Sequence, residues 1–136
     1  METALKITRS IVVAAGRERI WKALTVPEEI GLWFEQLEFE RLAVGEKIRF
    51  SWGEKGEIAI VEPMDRFGYR WLIEPQSPRG TLVVFTLETI PNGTRVTVSE
   101  TGFEALPDSQ KNFSQNTEGW EEEMGALEVY LEARET

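Results

Sequence analysis

The chain has no cysteine and no histidine. Without cysteine there is no disulfide framework, no thiolate nucleophile and no Cys-ligated zinc site. Without histidine there is no Ser-His-Asp triad, no HExxH metalloprotease helix and no imidazole ligand for haem. Glycine-rich phosphate cradles are missing as well, because neither GxxxxGK[ST] nor GxGxxG occurs. No apolar run approaches the roughly 18–20 residues of a membrane span. Positive charge is scarce: the net charge is −9, and the acidic side chains are glutamates apart from Asp65 and Asp108. That balance repels phosphate backbones and anionic lipid surfaces, so nucleic acid and membranes are poor partners. Met1-Glu2-Thr3-Ala4 offers neither a basic n-region nor an apolar h-region, so no signal peptide is expected and a cytoplasmic location is. Carboxylates, hydroxyls, amides, lysines and aromatics remain for chemistry, and no cofactor or metal is expected.

What is present is a chain of 136 residues with five tryptophans and seven phenylalanines, a length that suits one domain over 1–136. Leu5, Ile7, Ile11 and Val13 alternate with polar neighbours as a strand does. Arg9 falls on the apolar side of that alternation, either at a solvent-facing end or at a cavity mouth. The period then changes. Ile20, Ala23 and Leu24 share one face of a short helix near Arg17–Leu24. Pro27 suits the first turn of a second helix, where its missing N–H would be unpaired anyway, and Ile30, Trp33 and Phe34 continue it.

From Leu37 to Thr101 the pattern is strand after strand. Ile48, Phe50 and Trp52 alternate, Gly53 to Gly56 form a turn, and Ile58, Ile60 and Val61 follow. Phe67, Tyr69, Trp71 and Ile73 make the next strand, Pro75 to Gly80 a loop, and Val83, Phe85 and Leu87 another strand. Asn92-Gly93 tolerates the positive φ angles of a type I′ hairpin turn, leading to Val96 and Val98. Connections this short imply antiparallel pairing. After a polar loop from Gly102 to Gln110, Phe113, Thr117, Trp120, Met124, Leu127 and Leu131 step by four and three along one helix face. This order of elements is α+β, and a curved sheet gripping one long C-terminal helix would bury both apolar faces.

The run from Ala15-Gly16-Arg17-Glu18-Arg19-Ile20-Trp21 to Val26-Pro27-Glu28, followed by Trp33-Phe34, resembles the N-terminal signature of the START-like (SRPBCC) superfamily. The branch it is most similar to comprises homologues of the activator of the ninety-kilodalton heat-shock protein ATPase. Gly45, Gly56 to Pro63, Gly93-Thr94-Arg95-Val96-Thr97-Val98, Gly102-Phe103, Gly119-Trp120 and Leu127-Glu128-Val129-Tyr130-Leu131-Glu132 carry the resemblance through nearly the whole chain. The chain departs from the family at Gly16, where proline is usual, at Val26, where an aspartate caps the second helix, and at Glu46, where a second glycine is frequent. The resemblance implies a helix-grip (START-like) fold with an apolar cavity between sheet and helix. It implies no shared catalytic residues, because superfamily functions run from lipid carriage to cyclase chemistry.

Trp33, Phe50, Trp52, Tyr69, Trp71, Phe85, Val98, Phe103, Trp120, Met124 and Leu127 are candidates to line that cavity. Each aromatic would bury about 150–250 Å² and would serve equally in a close-packed core. Asn116, Glu123 and Tyr130 recur every seven residues along one helix edge, either emerging into solvent or holding a ligand's polar end at the cavity rim. Glu100 shares the parity of Val96 and Val98; its place near a strand end argues for exposure, whereas enclosure would raise its pKa. Three functions compete. The first is a binding module for a small apolar or aromatic ligand. The second is a co-chaperone-like module with a chaperone as protein partner. The third is an enzyme using Glu100 and Glu123 on an apolar substrate. No residue is assigned as catalytic, and binding is the expectation.

Overall fold

The computed structural model describes residues 5–51, 55–73, 77–103 and 109–134. Ile7–Val13 forms β1, followed by the helices α1 (Arg17–Thr25) and α2 (Pro27–Trp33). The strands β2 (Leu37–Glu38), β3 (Lys47–Phe50), β4 (Lys55–Glu62), β5 (Arg66–Ile73), β6 (Ser77–Ile90) and β7 (Gly93–Thr101) come next, and α3 (Ser109–Arg134) closes the order. All seven strands pair antiparallel in one sheet, in the order β1-β7-β6-β5-β4-β3-β2. This is the helix-grip arrangement expected from the order of elements.

The short helices are held by burial rather than by length. α1 buries Ile20, Trp21, Ala23 and Leu24, and the Trp21 ring meets Phe67 edge-on at 6.4 Å. α2 starts on Pro27 with Val26 before it, and no side chain caps its first turn. The helix is instead tied back by the Trp33 indole, which donates to the Ala23 carbonyl at 2.8 Å. On α3, Trp120, Met124, Leu127 and Leu131 are buried while Phe113 and Thr117 are half-buried, so the stripe read from the sequence is the face turned to the sheet. Arg9 is not at a frayed end: it sits mid-strand and reaches Glu121 of α3 at 3.1 Å.

Four local expectations shift. Lys55 and Gly56 open β4 rather than closing a turn, and Ser77 to Gly80 belong to β6 rather than to a loop; Gly53, Glu54, Pro75 and Gln76 lie outside the described residues. Helix α3 begins at Ser109, inside the stretch read as a polar loop. The β6–β7 hairpin turns on Pro91 and Asn92, with Ile90 paired to Gly93 and a φ of 68° at Asn92. Proline first and a positive φ second is the pattern of a type II turn, not type I′. Gly93 is needed for a different reason, since a Cβ there would lie 2.2 Å from the Val13 carbonyl oxygen of the neighbouring strand. Gly45 carries a φ of 93°, and the neighbouring Glu46 carboxylate accepts the Glu40 and Arg41 N–H groups.

A single cross-strand row positions the polar groups of the interior. Ile58, Tyr69, Val83, Glu100 and Ile7 are successive partners across β4, β5, β6, β7 and β1. Partners in a row point to one face, so Tyr69 and Glu100 stand two strands, or about 10 Å, apart on the face that α3 covers.

Candidate functional site

Glu100 is fully buried. Strand parity sends it inward with Val96 and Val98, and α3 crosses above it, so the expectation of an exposed strand end fails. Its carboxylate accepts three side chains from two elements. The Thr81 hydroxyl donates from β6, the Trp120 indole from α3 at 2.8 Å, and the Asn116 amide from α3 at 3.1 Å to each oxygen. Burial raises the carboxyl's pKa, and the bonds from Thr81, Trp120 and Asn116 pull it back down. Thr81 lies one place beyond the stretch read as a loop; its alternation with Val83, Phe85 and Leu87 is the signal that places it inward.

Beside this nest lies a pocket of about 260 Å³ between the end of α2, β5 and α3. Phe34, Trp71 and Trp120 wall it, with Gly119 between them, and Glu35, Asn116 and Glu123 supply its polar edge. The Phe34 ring stacks on Trp120 at 5.7 Å and 11°. Glu123 is half-buried, and its pKa is raised to about 7 by burial first and then by the charges of Glu35 and Glu122. No lysine or arginine lines this pocket among the described residues.

The predicted set therefore divides. Trp71, Asn116, Trp120 and Glu123 converge on the pocket, with Glu100 directly beneath through its bonds to Asn116 and Trp120. Trp33, Phe50, Tyr69, Phe85, Val98, Phe103, Met124 and Leu127 are buried in the main core. Trp52 lies outside the described residues. Beneath α2 the apolar interior holds a small space of about 10 Å³, among Trp33, Tyr69 and Phe85. The pocket is at its edge. Phe34 and Glu35 are not among the predicted site residues: Phe34 reads as one more core position of α2, and Glu35 as a solvated charge. Tyr130, the third member of the heptad edge, turns away from the pocket and donates to Glu29 at 2.7 Å, with Arg19 over its ring at 5.3 Å.

A roomier concavity, about 480 Å³, opens along β3 and β4. Its walls carry charged side chains such as Glu38, Lys47 and Arg49, and Glu38 and Lys47 are engaged with Arg49 and Glu57 respectively. It holds none of the predicted site residues. No helix among the described residues is long and apolar enough to cross a membrane.

The family model described as Activator of Hsp90 ATPase homolog 1-like protein matches residues 14–132. No curated protein matches the chain. Among solved structures, protein MLL2253 from Mesorhizobium loti superposes with a TM-score of 0.83 at 28% identity, over 94% of this chain and 97% of that one. DynU16, of the dynemicin biosynthetic locus, gives 0.80 at 27% identity over 96% of this chain, which spans 48% of DynU16. The Aha1 dimer from Colwellia psychrerythraea gives 0.76 at 23% identity over 93% and 95%, a likeness of fold.

Proposed function

The chain belongs to the family of homologues of the Hsp90 ATPase activator, within the START-like superfamily, and from that premise we propose that it binds a small apolar or aromatic molecule in the pocket beside Trp120. The observation that carries this reading is the combination of walls and edge. Three aromatic side chains line a concavity together with a few polar groups, Glu35, Asn116 and Glu123, the usual composition of a small-molecule site. At about 260 Å³ the pocket falls just below the common range of roughly 300–1,000 Å³, so the ligand is compact. Apolar contact with Phe34, Trp71 and Trp120 supplies affinity. Asn116 and the carboxylates orient one polar end and disfavour anions.

Catalysis is the weaker reading. Glu100 is engaged by three donors, and an acid or base must be free to exchange a proton with a substrate. A protein-interaction role has one feature in its favour besides the family name: Leu32 on α2 and Val129 on α3 are exposed large apolar side chains. That role predicts salt-sensitive association of this acidic chain with a basic partner surface. The test of the binding reading is a thermal-shift screen against compact apolar and aromatic compounds. A true ligand at 100 times its Kd adds about 2.7 kcal/mol of stability. That shift should be lost in Trp120→Ala once its own lower melting point is taken as baseline. If no compound of this class raises the melting temperature, the reading fails.

A further inference from the structure

The Tyr69 hydroxyl is buried and has no hydrogen-bond partner, the one such side-chain atom found among the described residues. Leaving a buried donor unpaired is costly, and native structures rarely tolerate it without a reason. Tyr69 lines the small void of about 10 Å³ beneath α2. That space matches one water molecule, but an ordered buried water makes about three hydrogen bonds. The other side chains around the void are apolar, apart from the Trp33 indole N–H, which is already given to Ala23. A water there would find the Tyr69 hydroxyl as its single side-chain partner.

One residue borders both this void and the outer pocket: Phe34. Its backbone is pinned at the end of α2 by the N–H bond to Ile30, but its ring is half-buried and forms the partition between the two spaces. On the pocket side the ring rests on Trp120, and beneath it lies the void that Tyr69 lines. Tyr69 shares its cross-strand row with Glu100, the carboxylate that Asn116 and Trp120 of the pocket wall meet.

We propose that Phe34 is a movable partition, and that a ligand turning it aside lodges a neutral hydrogen-bond acceptor, a carbonyl or ether oxygen on an apolar body, against the Tyr69 hydroxyl. This rests on the proposed binding function and names the class of molecule that the pocket selects. A phenol that must donate calls for an acceptor. Burial and the neighbouring carboxylates hold Tyr69 in its protonated, donating form. The acceptor must be uncharged, because Glu35 and Glu123 line the approach and no cation among the lining residues offsets them. Carboxylates of the same shape are therefore excluded. The ligand does what a water cannot: it satisfies the hydroxyl while its apolar body fills space against the remaining walls.

Titration calorimetry with three probes of one shape tests this: 2-acetylnaphthalene, 2-ethylnaphthalene and 2-naphthoate, each against the full chain and its Tyr69→Phe and Phe34→Ala variants. The ketone should bind the native chain about tenfold more tightly than the ethyl compound, the scale of one good hydrogen bond to an otherwise unpaired donor. The carboxylate should bind more weakly than either. Tyr69→Phe should bring the ketone down to the affinity of the ethyl compound and leave the latter unchanged. Phe34→Ala should quicken entry of both neutral probes. A ketone preference that survives Tyr69→Phe, or equal binding of ketone and carboxylate, overturns the proposal while leaving the pocket a binding site. If neither neutral probe binds the native chain or Phe34→Ala, the binding reading and this inference fall together. Tyr69→Phe removes only an unpaired hydroxyl, so its melting temperature serves as the fold control and should not drop.

Discussion

Glu100 and Tyr69 stand in the same cross-strand row under α3, both buried, and their surroundings treat them in opposite ways. Around Glu100 the chain has gathered Thr81, Asn116 and Trp120 from two elements to meet one carboxylate. Around Tyr69 it has gathered Phe50 and Phe67 ring to ring and provided no partner for the hydroxyl. A buried carboxylate left bare would cost several kcal/mol, a large share of a domain's stability, so Glu100 is met within the fold. A bare phenol costs far less, on the order of 1 kcal/mol, which a fold can carry if something outside the chain repays it. The nest around Glu100 thus stiffens the floor of the pocket, and the row's other polar group is left unmet.

The sharpest way to break this contrast is Glu100→Ala, which strands three donors in the interior and should destabilise the chain by about 3–5 kcal/mol in denaturant unfolding. Glu100→Gln keeps the shape and part of the bonding and should cost clearly less. Next comes the apolar side of the grip: Leu127→Ala, at a fully buried position on α3, should cost about 2–5 kcal/mol. A cost below about 1 kcal/mol would mean that α3 is not gripped as described.

Glu123 sharpens the comparison through pH. In the folded chain it keeps its proton up to about 7, against an ordinary value of 4.5. Below that ordinary value both states are protonated and the site costs nothing. Between the two values the folded state binds more protons than the unfolded one, so stability falls as pH rises, and above about 7 the penalty is complete. Glu123→Gln should therefore stabilise the chain at pH 8, by about 1 kcal/mol once solvent screening of a half-exposed group is allowed for, and by nothing at pH 4. A gain of equal size at both pH values would remove the electrostatic explanation. The smallest expected effect is at the other end of the row. Tyr69→Phe should leave melting unchanged or raise it slightly, within about 1 kcal/mol, whereas a clear loss would show that the hydroxyl has a partner after all.

Much of this arrangement is legible in the residues. The four-and-three steps from Phe113 to Leu131 give the buried face of α3; the parity of Val96, Val98 and Glu100 points the carboxylate inward, but its place near a strand end argues for exposure and misleads. Asn116 and Glu123 read as one helix edge. What stays hidden depends on distance in sequence. Thr81 meets Glu100 only because β6 begins at Ser77 and pairs with β7, and proline and glycine in the preceding stretch obscure that extension. Phe34 follows the spacing of α2 like any core residue, and nothing local says that its ring also faces Trp120. Whether a dozen large side chains leave a cavity or fill it is a question of packing volumes, which periodicity does not encode. The open space described lies at the end of α2, where Phe34, Trp71 and Trp120 meet.

The central claim is that a compact neutral molecule enters beside Trp120. The most direct measurement follows the tryptophan indole N–H signals by ¹H–¹⁵N NMR during titration with 2-acetylnaphthalene. Trp71 and Trp120 line the pocket, while Trp21 packs on Phe67 away from it. Saturable shifts of the Trp71 and Trp120 signals, with Trp21 unmoved, are the predicted result. Shifts confined to Trp21, or no shift of Trp120 at saturating probe, would contradict it.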